Sequence, residues 1–296
     1  MQMTDTLGRA TFHHIAPQRG VRPTNREVRW FKHIERHGPQ NSQYLFELTR
    51  DTHRCKDTAL RQMQRLRAGG YLMLPHQQRV TERAEFNPYV YDLTAKARDH
   101  LADLGIDEPT MRPTGHWWHG YAVSQVTAGI DIAAARAGVR YIPAHEILAI
   151  KGAEFAIPIG RSMLIPDQLF ALDYGERFRA FALEVDRGTE PKTSPVSRKS
   201  WARAIDQYRQ VIEQRLYQAH FGLKANLLVL WVFSTPSKQA RFLEMLEGSP
   251  KEVASAFLTA SMPQSGGAPN RSAVWTGFFD SPWQRAHGKS AILANG

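Results

Sequence analysis

Three acidic side chains are the clearest candidates for chemistry in the sequence, and they lie in two neighbouring apolar segments. Asp167 opens the first segment, while Glu184 and Asp186 close the second. Because side chains alternate between the two faces of a strand, Glu184 and Asp186 are predicted to share one face, with Val185 on the other. A carboxylate at the end of a buried strand is costly unless a cation meets it, and a divalent metal ion commonly fills that role. The alternative is that these residues are solvated at the strand ends.

The elements that would position these side chains can be read from the apolar pattern around them. Residues 164–187 contain two apolar runs on either side of a short polar turn, which is typical of a β-hairpin. A helical pattern precedes the hairpin, and a helix, an almost wholly apolar strand and a further helix follow it. In chain order, the predicted elements are a helix at 120–137, a strand at 139–150, the hairpin, a helix at 198–219, a strand at 225–233 and a helix at 238–246.

The order α-β-β-β-α-β resembles the PD-(D/E)xK nuclease-like fold, in which Pro166 and Asp167 would begin one strand and residues 184–186 would end the next. Three further strings are similar to the replication-relaxation family: LEVDRGTEP at 183–191, the basic pair at 198–199 and FSTP at 233–236. Proteins of that family join an N-terminal winged helix to a PD-(D/E)xK-like domain, and they occur on plasmids and mobile elements. The resemblance covers about residues 22–248, and it predicts a mixed α/β (α+β) protein.

The resemblance implies metal-dependent phosphodiester hydrolysis at these acids. Asp167, Glu184 and the backbone carbonyl of Val185 would bind Mg²⁺ or Mn²⁺, which would activate water and neutralise charge on the phosphate. The fold normally carries a lysine two residues after the strand glutamate, but this sequence has Asp186 there. This departure leaves two interpretations open, an active nuclease and an inactive DNA-binding relative.

Other residues are candidates to replace the missing lysine or to complete the site. Lys199, at the start of the following helix, is the first candidate for the cation, and Lys192 is the second. Glu146 is a candidate outer acidic residue, so the predicted catalytic set is Asp167, Glu184, Asp186, Lys199 and Glu146. The resemblance also makes His119 a candidate site residue, because related proteins carry a histidine near the start of the first helix of this domain. The alternative is that His119 packs at the junction between the domains.

Composition narrows the class of protein. The chain has 296 residues, enough for two domains, and its 38 Lys and Arg against 28 Asp and Glu give a net charge of +10, which favours a polyanionic partner. The single cysteine, Cys55, excludes an internal disulfide and a cysteine-rich zinc site. Apolar runs are far shorter than a membrane span, and the first 14 residues lack the apolar core of a signal peptide. The expected compartment is the cytoplasm.

The N-terminal part, residues 22–112, is predicted to be a winged helix-turn-helix. Three helical patterns come first, at 24–36, from 41 and at 54–68. Two strand-like stretches at 71–74 and 89–93 follow, joined by a polar segment predicted to be the wing, and a fourth helix runs over 94–104. Residues 1–21 are predicted to be a flexible arm. Residues 249–296 form a C-terminal extension after the second domain (113–248), with a possible edge strand at 273–279.

Charge in this part of the chain favours DNA binding. Residues 22–83 contain thirteen Lys and Arg against six Asp and Glu, so +7 of the net charge lies there. A basic third helix and a basic wing would place cations against the major groove and the phosphates. The predicted DNA contacts are Lys56, Thr58, Arg61, Gln62, Arg65, Arg79 and Arg83, of which Thr58, Arg61 and Gln62 are candidates for base edges. The alternatives are a solvated cationic face and a winged helix that binds protein.

Together these patterns predict a cytoplasmic protein that binds double-stranded DNA, and the family resemblance implies that it belongs to a plasmid or mobile element. The resemblance implies a Mg²⁺-dependent endonuclease or nickase in replication, relaxation or transfer. A second hypothesis is a non-catalytic regulator or replication accessory factor with a degenerate nuclease domain. Under either hypothesis, the expected partners besides double-stranded DNA are a second copy of the chain or replication and transfer proteins. A third class, a protein-interaction module, predicts no salt-dependent affinity for DNA.

Overall fold

The computed structural model describes residues 15–53, 55–79, 89–106, 108, 116–188, 200–263 and 275–296. These residues form two compact units, one containing the described residues up to Glu108 and the other those from His116 onwards. Both units mix helices with β-sheet, so the predicted α/β class is confirmed. No helix in the described ranges has the length and apolar character needed to cross a bilayer.

The first unit packs five helices around a small antiparallel sheet, whose strand order is β1-β3-β2. Its elements are α1 (Asn25–His37), β1 (Gln40–Asn41), α2 (Ser42–Leu48), α3 (Lys56–Ala68), β2 (Leu72–Met73), α4 (His76–Arg79), β3 (Val90–Leu93) and α5 (Ala95–Asp103).

Helix caps and one large aromatic residue fix the arrangement of the first unit. The Asn41 side chain accepts hydrogen bonds from the first backbone N–H groups of α2, and the Glu27 carboxylate accepts one from Thr24 N–H at 2.7 Å, before α1. Trp30 is fully buried, and its indole N–H donates to the Leu45 carbonyl at 2.7 Å. The unit therefore has an apolar core of its own, which also includes Met63 on α3.

The second unit is built on a five-stranded sheet with the order β10-β9-β8-β7-β4. Its elements are α6 (Trp117–Arg136), β4 (Arg140–Pro143), α7 (Ala144–Ala149), β5 (Ile157–Ile159), β6 (Ser162–Leu164), β7 (Gln168–Asp173), β8 (Phe178–Asp186), α8 (Trp201–Glu213), α9 (Leu216–Phe221), β9 (Leu227–Phe233), α10 (Pro236–Leu246), α11 (Lys251–Ala256), β10 (Phe257–Ser261) and α12 (Gly277–Asp280), followed by a 3₁₀ turn at Leu293–Asn295. Strands β4, β7 and β8 are antiparallel neighbours, whereas β8, β9 and β10 run parallel.

Alternation along the central strand divides the core between the two faces of this sheet. Ala180 and Ala182 of β8 lie in the apolar cluster that contains Tyr208 and other residues of α8. Phe181, on the opposite face, stacks on Phe170 of β7 at 5.2 Å between ring centroids. Because Glu184 and Asp186 have the same parity as Ala182, their side chains belong to the face covered by α8.

Several predicted elements are altered in the structure. The strand predicted at 139–150 is wrong in its second half, where α7 begins directly after Pro143, which offers no N–H to extend the ladder. The helix predicted at 198–219 breaks at Arg215, whose φ of 52° is left-handed, so α8 and α9 are separate. The edge strand predicted at 273–279 is also wrong, since residues 277–280 form α12 and β10 takes the sheet edge. Most of the predicted wing lies outside the described residues.

Candidate acidic site at the carboxyl end of β8

The three predicted acids meet at one end of the sheet. Gln168 pairs with Leu183 across the antiparallel β7–β8 ladder, so the next position along places Asp167 opposite Glu184. On the other side of β8, Asp186 is the register partner of Phe233, the last residue of β9. The exposed fractions of Asp167, Glu184 and Asp186 are only 6%, 1% and 1%, so these are buried carboxylates rather than solvated strand ends.

Asp167 is held between α6 and β8. One carboxylate oxygen, Oδ1, lies 3.0 Å from His119 Nε2, and the other accepts a hydrogen bond from the Val185 backbone N–H at 2.8 Å. His119 lies in the first turn of α6, and its side chain is 22% exposed. An aspartate fixed by one backbone donor and one imidazole keeps a single orientation at the end of the hairpin.

Glu184 is held by a tyrosine of α8. The Tyr208 hydroxyl donates to Glu184 Oε1 at 2.7 Å, and both residues are almost fully buried. Burial raises the pKa of the Tyr208 phenol well above its ordinary value, and the nearby charges of Glu184 and Asp167 raise it further. Tyr208 therefore remains a hydrogen-bond donor at neutral pH. It belongs to the apolar core and also serves the acidic site, which a helical apolar pattern alone does not reveal.

Asp186 occupies the position at which the resemblance predicts a lysine, and a lysine from another element approaches it. Its Oδ1 accepts a hydrogen bond from the Gly188 N–H at 2.5 Å, while its Oδ2 lies 3.9 Å from the Lys238 ammonium. Within the described part of the chain, Oδ2 is a buried oxygen without a hydrogen-bond partner. Lys238 stands in the first turn of α10, directly after β9.

The other predicted members of the catalytic set are not gathered here. Glu146 lies at the start of α7, and its carboxylate pairs with Arg140 at 2.5 Å. Arg140 is the register partner of Asp173, at the opposite end of β7 from Asp167. Lys199 and the second candidate, Lys192, lie outside the described residues.

The donor set suits a hard divalent cation bound by few protein ligands. Among the described residues of this unit, no three His, Cys, Asp or Glu ligand atoms lie within 4.8 Å of one another. Mg²⁺ commonly binds one or two carboxylates and completes its shell with water and substrate phosphate. Asp167, Glu184 and the predicted carbonyl of Val185 fit that pattern, and the unpartnered Asp186 oxygen adds negative charge beside them.

The predicted DNA-contacting residues of the first unit divide into exposed and engaged side chains. Lys56 and Arg61 are exposed on α3, and Thr58 lies 3.4 Å from an Arg61 guanidinium nitrogen. Arg65 instead binds the buried Glu27 carboxylate at 2.7 Å, and its Nε donates a hydrogen bond to the side-chain oxygen of Gln62 at 2.8 Å. The side chain of Arg79 and the whole of Arg83 lie outside the described residues.

The fold and the site together define a mixed α/β protein with a buried acidic centre at the carboxyl end of a parallel strand pair. Comparison with protein families then places the chain: the family model described as replication-relaxation matches residues 31–227, and the protein belongs to that family. The family predicted from the LEVDRGTEP string is thereby confirmed. Searches among curated proteins and among solved structures gave no match.

Proposed function

We propose that this protein binds double-stranded DNA of a plasmid or mobile element and nicks a strand at the acidic site with Mg²⁺ or Mn²⁺. Membership of the replication-relaxation family supports the coarser statement, a role in the replication or relaxation of such DNA. Strand cleavage is the part of the proposal that the acidic site supports.

The observation that carries the proposal is the burial of three carboxylates at one strand end. Asp167, Glu184 and Asp186 are each at most 6% exposed, and a cluster of buried negative charge is unfavourable unless cations balance it. The His119 imidazole lies 3.0 Å from Asp167 Oδ1, and the Lys238 ammonium lies 3.9 Å from Asp186 Oδ2. A divalent cation bound at this strand end would balance the charge of the carboxylates.

The order of elements supports the finer assignment of both units. In the second unit, α6, β4, β7, β8, α8 and β9 follow the order α-β-β-β-α-β expected for the PD-(D/E)xK-like fold, with α7, β5 and β6 inserted after β4 and α9 inserted after α8. In the first unit, α1, β1, α2, α3, β2 and β3 follow the order expected for a winged helix, with α4 inserted after β2, and α3 would be the recognition helix. Exposed Lys56 and Arg61 on that helix are suited to phosphate and base contacts.

The chain's own residues would prepare the site in distinct ways. Asp167, Glu184 and the Val185 carbonyl would hold the metal ion, which when bound activates water and offsets phosphate charge. His119 fixes the Asp167 carboxylate, and Tyr208 fixes that of Glu184. Both act as positioning residues, because each hydrogen bond restricts the direction from which its carboxylate can approach the ion.

A plasmid-nicking assay tests this function. Supercoiled plasmid would be incubated with the full-length protein and Mg²⁺ or Mn²⁺, and with an Asp167→Asn, Glu184→Gln double variant. We expect conversion to the nicked circle by the parent protein and a loss of at least about hundredfold in the variant. Glu146→Gln is the matched control, because Glu146 is paired with Arg140 away from the site and should leave nicking unchanged. Equal nicking by parent and double variant would contradict the assignment.

A second candidate function is a non-catalytic DNA-binding regulator or replication accessory factor. It is favoured by Asp186 at the usual lysine position and by the internal donors that already engage each carboxylate. This alternative predicts salt-dependent DNA binding without nicking under any divalent metal. Sedimentation of the protein with and without DNA would test the further prediction that it acts as a homodimer.

A further inference from the structure

We infer that Lys238 is the basic residue of the acidic site and that it contacts a DNA phosphate there, in place of the lysine missing from position 186. This inference deepens the proposed function and rests on it for the cleavage step. It differs from the sequence-based prediction, which assigned the cation to Lys199. The supporting observations are the position of the ammonium, the space around it and the chemistry of the surrounding turn.

The Lys238 ammonium lies between the buried carboxylate of Asp186 and the solvent. Lys238 Nζ lies 3.9 Å from Asp186 Oδ2, while the Asp186 side chain is 0% exposed and the Lys238 side chain is 26% exposed. At 3.9 Å the pair attracts electrostatically but is too long for a hydrogen bond. The ammonium N–H groups are therefore not used up by Asp186, and they remain able to bind an incoming phosphate oxygen.

The chain leaving β8 is shaped to leave room for this ammonium. Gly188 has a φ of +95°, and a Cβ built there would lie 2.7 Å from Lys238 Nζ and 3.1 Å from Ser234 Oγ. Any larger residue would displace the lysine or the serine. The left-handed backbone favours glycine at this position, and the absence of a Cβ leaves the space that the Lys238 ammonium occupies.

The turn that carries Lys238 has the chemistry of an anion-binding element. Thr235 caps α10, with its hydroxyl 3.4 Å from the Lys238 backbone N–H and 3.1 Å from Ser237 Oγ. Hydroxyls and a lysine at the N-terminal turn of an 11-residue helix favour a phosphate, since the positive end of the helix dipole adds to the ammonium charge. Asp186 Oδ2, which has no hydrogen-bond partner within the described ranges, attracts the Lys238 ammonium to this turn.

Parallel strand pairing explains how a lysine 52 residues away from Asp186 can reach it. Asp186 and Phe233 are register partners at the ends of β8 and β9, and Lys238 follows Phe233 after a short turn. Lys238 therefore comes from α10, the helix that follows β9, and not from β8. The negative charge of Asp186, at the position where a lysine was expected, attracts the Lys238 ammonium.

Two readouts on the full-length protein test the inference. The first is plasmid nicking by Lys238→Met and Lys238→Arg variants, with Lys251→Met, an exposed lysine of the same unit, as the matched control. We expect about hundredfold slower nicking for Lys238→Met, partial recovery for Lys238→Arg and no change for Lys251→Met. Mn²⁺ binding measured by calorimetry should stay within about threefold, because Lys238 is not a metal ligand.

The second readout does not depend on cleavage. Amine-reactive acylation followed by mass spectrometry would measure the labelling of Lys238 and Lys251 with and without a duplex oligonucleotide. DNA should protect Lys238 several-fold relative to Lys251. If the parent protein nicks no DNA, the proposed enzymatic function fails, yet protection of Lys238 would still support its phosphate contact. Undiminished nicking by Lys238→Met, or labelling of Lys238 that DNA does not change, would overturn the inference.

Discussion

The two units carry their important charges in opposite ways. In the first unit, Lys56 and Arg61 project from α3 into solvent, whereas in the second unit Asp167, Glu184 and Asp186 are buried and individually held. Exposed cations act at a distance, are screened by salt and contribute roughly additively. Buried anions act only within a fixed set of partners, so the loss of one partner affects the whole site.

A single helix, α3, carries both an exposed cation and a cation that is paired with a buried acid, and Arg65 is the paired one. It belongs to the same basic surface pattern as Arg61, but it binds Glu27, whose side chain is only 2% exposed. Glu27 also accepts the Thr24 N–H that precedes α1. Arg65 of α3 therefore stabilises the fold of the first unit, whereas Arg61 on the same helix is exposed to solvent.

The largest effect is expected from removing the donor to a buried acid. Tyr208→Phe leaves the Glu184 carboxylate without its 2.7 Å hydrogen bond, and we expect the free energy of unfolding to fall by about 2–3 kcal/mol in urea denaturation. Tyr217→Phe is the control, because its hydroxyl makes long contacts of 3.4 Å with Asn226 and with Gln218, and this variant should lose less than about 1 kcal/mol. Equal losses would mean that Tyr208 acts through packing alone.

A smaller loss is expected where a partly exposed cation supports a buried acid. Arg65→Ala removes the main partner of Glu27 and should destabilise the first unit by about 2 kcal/mol, measured by urea denaturation. The Arg65 side chain is 32% exposed, so water offsets part of the loss. Arg61→Ala should change stability by less than about 0.5 kcal/mol. A similar loss in both variants would remove the distinction between structural and DNA-binding cations.

The exposed cations should instead be visible in the salt dependence of DNA binding. Lys56→Ala and Arg61→Ala should each weaken duplex binding roughly threefold to tenfold and lower the slope of log affinity against log salt by about one. Fluorescence anisotropy at several salt concentrations measures both quantities. Lys251→Ala, in the second unit, is the reference for a change of charge alone. Slopes that match the parent protein would argue against phosphate contacts by α3.

The smallest effect concerns alkaline pH, to which the partly buried phenols of the second unit should respond. Burial raises the pKa of Tyr174 from 10.0 to about 12, and its hydroxyl donates to the Leu293 carbonyl at 2.6 Å. Because the folded-state pKa is the higher one, this stabilisation is complete below pH 10 and is lost as the pH rises towards 12. Tyr174→Phe should reduce the fall in urea midpoint over that range. If the urea midpoint of the variant fell as much as that of the parent protein, groups other than Tyr174 would be responsible for the fall.

The sequence predicted most of the helices and strands, but few of the side-chain contacts between them. The hairpin of β7 and β8, the buried strand β9 and the shared face of Glu184 and Asp186 all follow from local alternation and apolar runs. The strand β10 was not predicted, because its short segment FLTAS follows a helix without a turn signal. The division of residues 139–150 is marked in the sequence by Pro143, because a proline can end a strand and precede a helix.

The residues that contact Asp167, Glu184 and Asp186 were either not predicted from the sequence or were indicated only by the family resemblance. The family resemblance indicated His119, but nothing in the local sequence links it to Asp167, 48 residues later. Tyr208 fits an apolar helix stripe as well as a hydrogen bond to Glu184. Lys238 lies just beyond FSTP, and its position directly after a buried strand was the available signal for a residue at the sheet edge.

By itself, then, the amino-acid sequence determined the family, the succession of helices and strands, the excess of positive charge before residue 83 and the parity that puts two acids on one face of β8. Only the tertiary structure decided which cation meets which acid. Local patterns set backbone conformation over a few residues, whereas the meeting of Asp186 with Lys238 depends on β8 and β9 lying side by side in parallel register. That pairing is a property of the whole sheet, because it forms only when all its strands bury their apolar faces together.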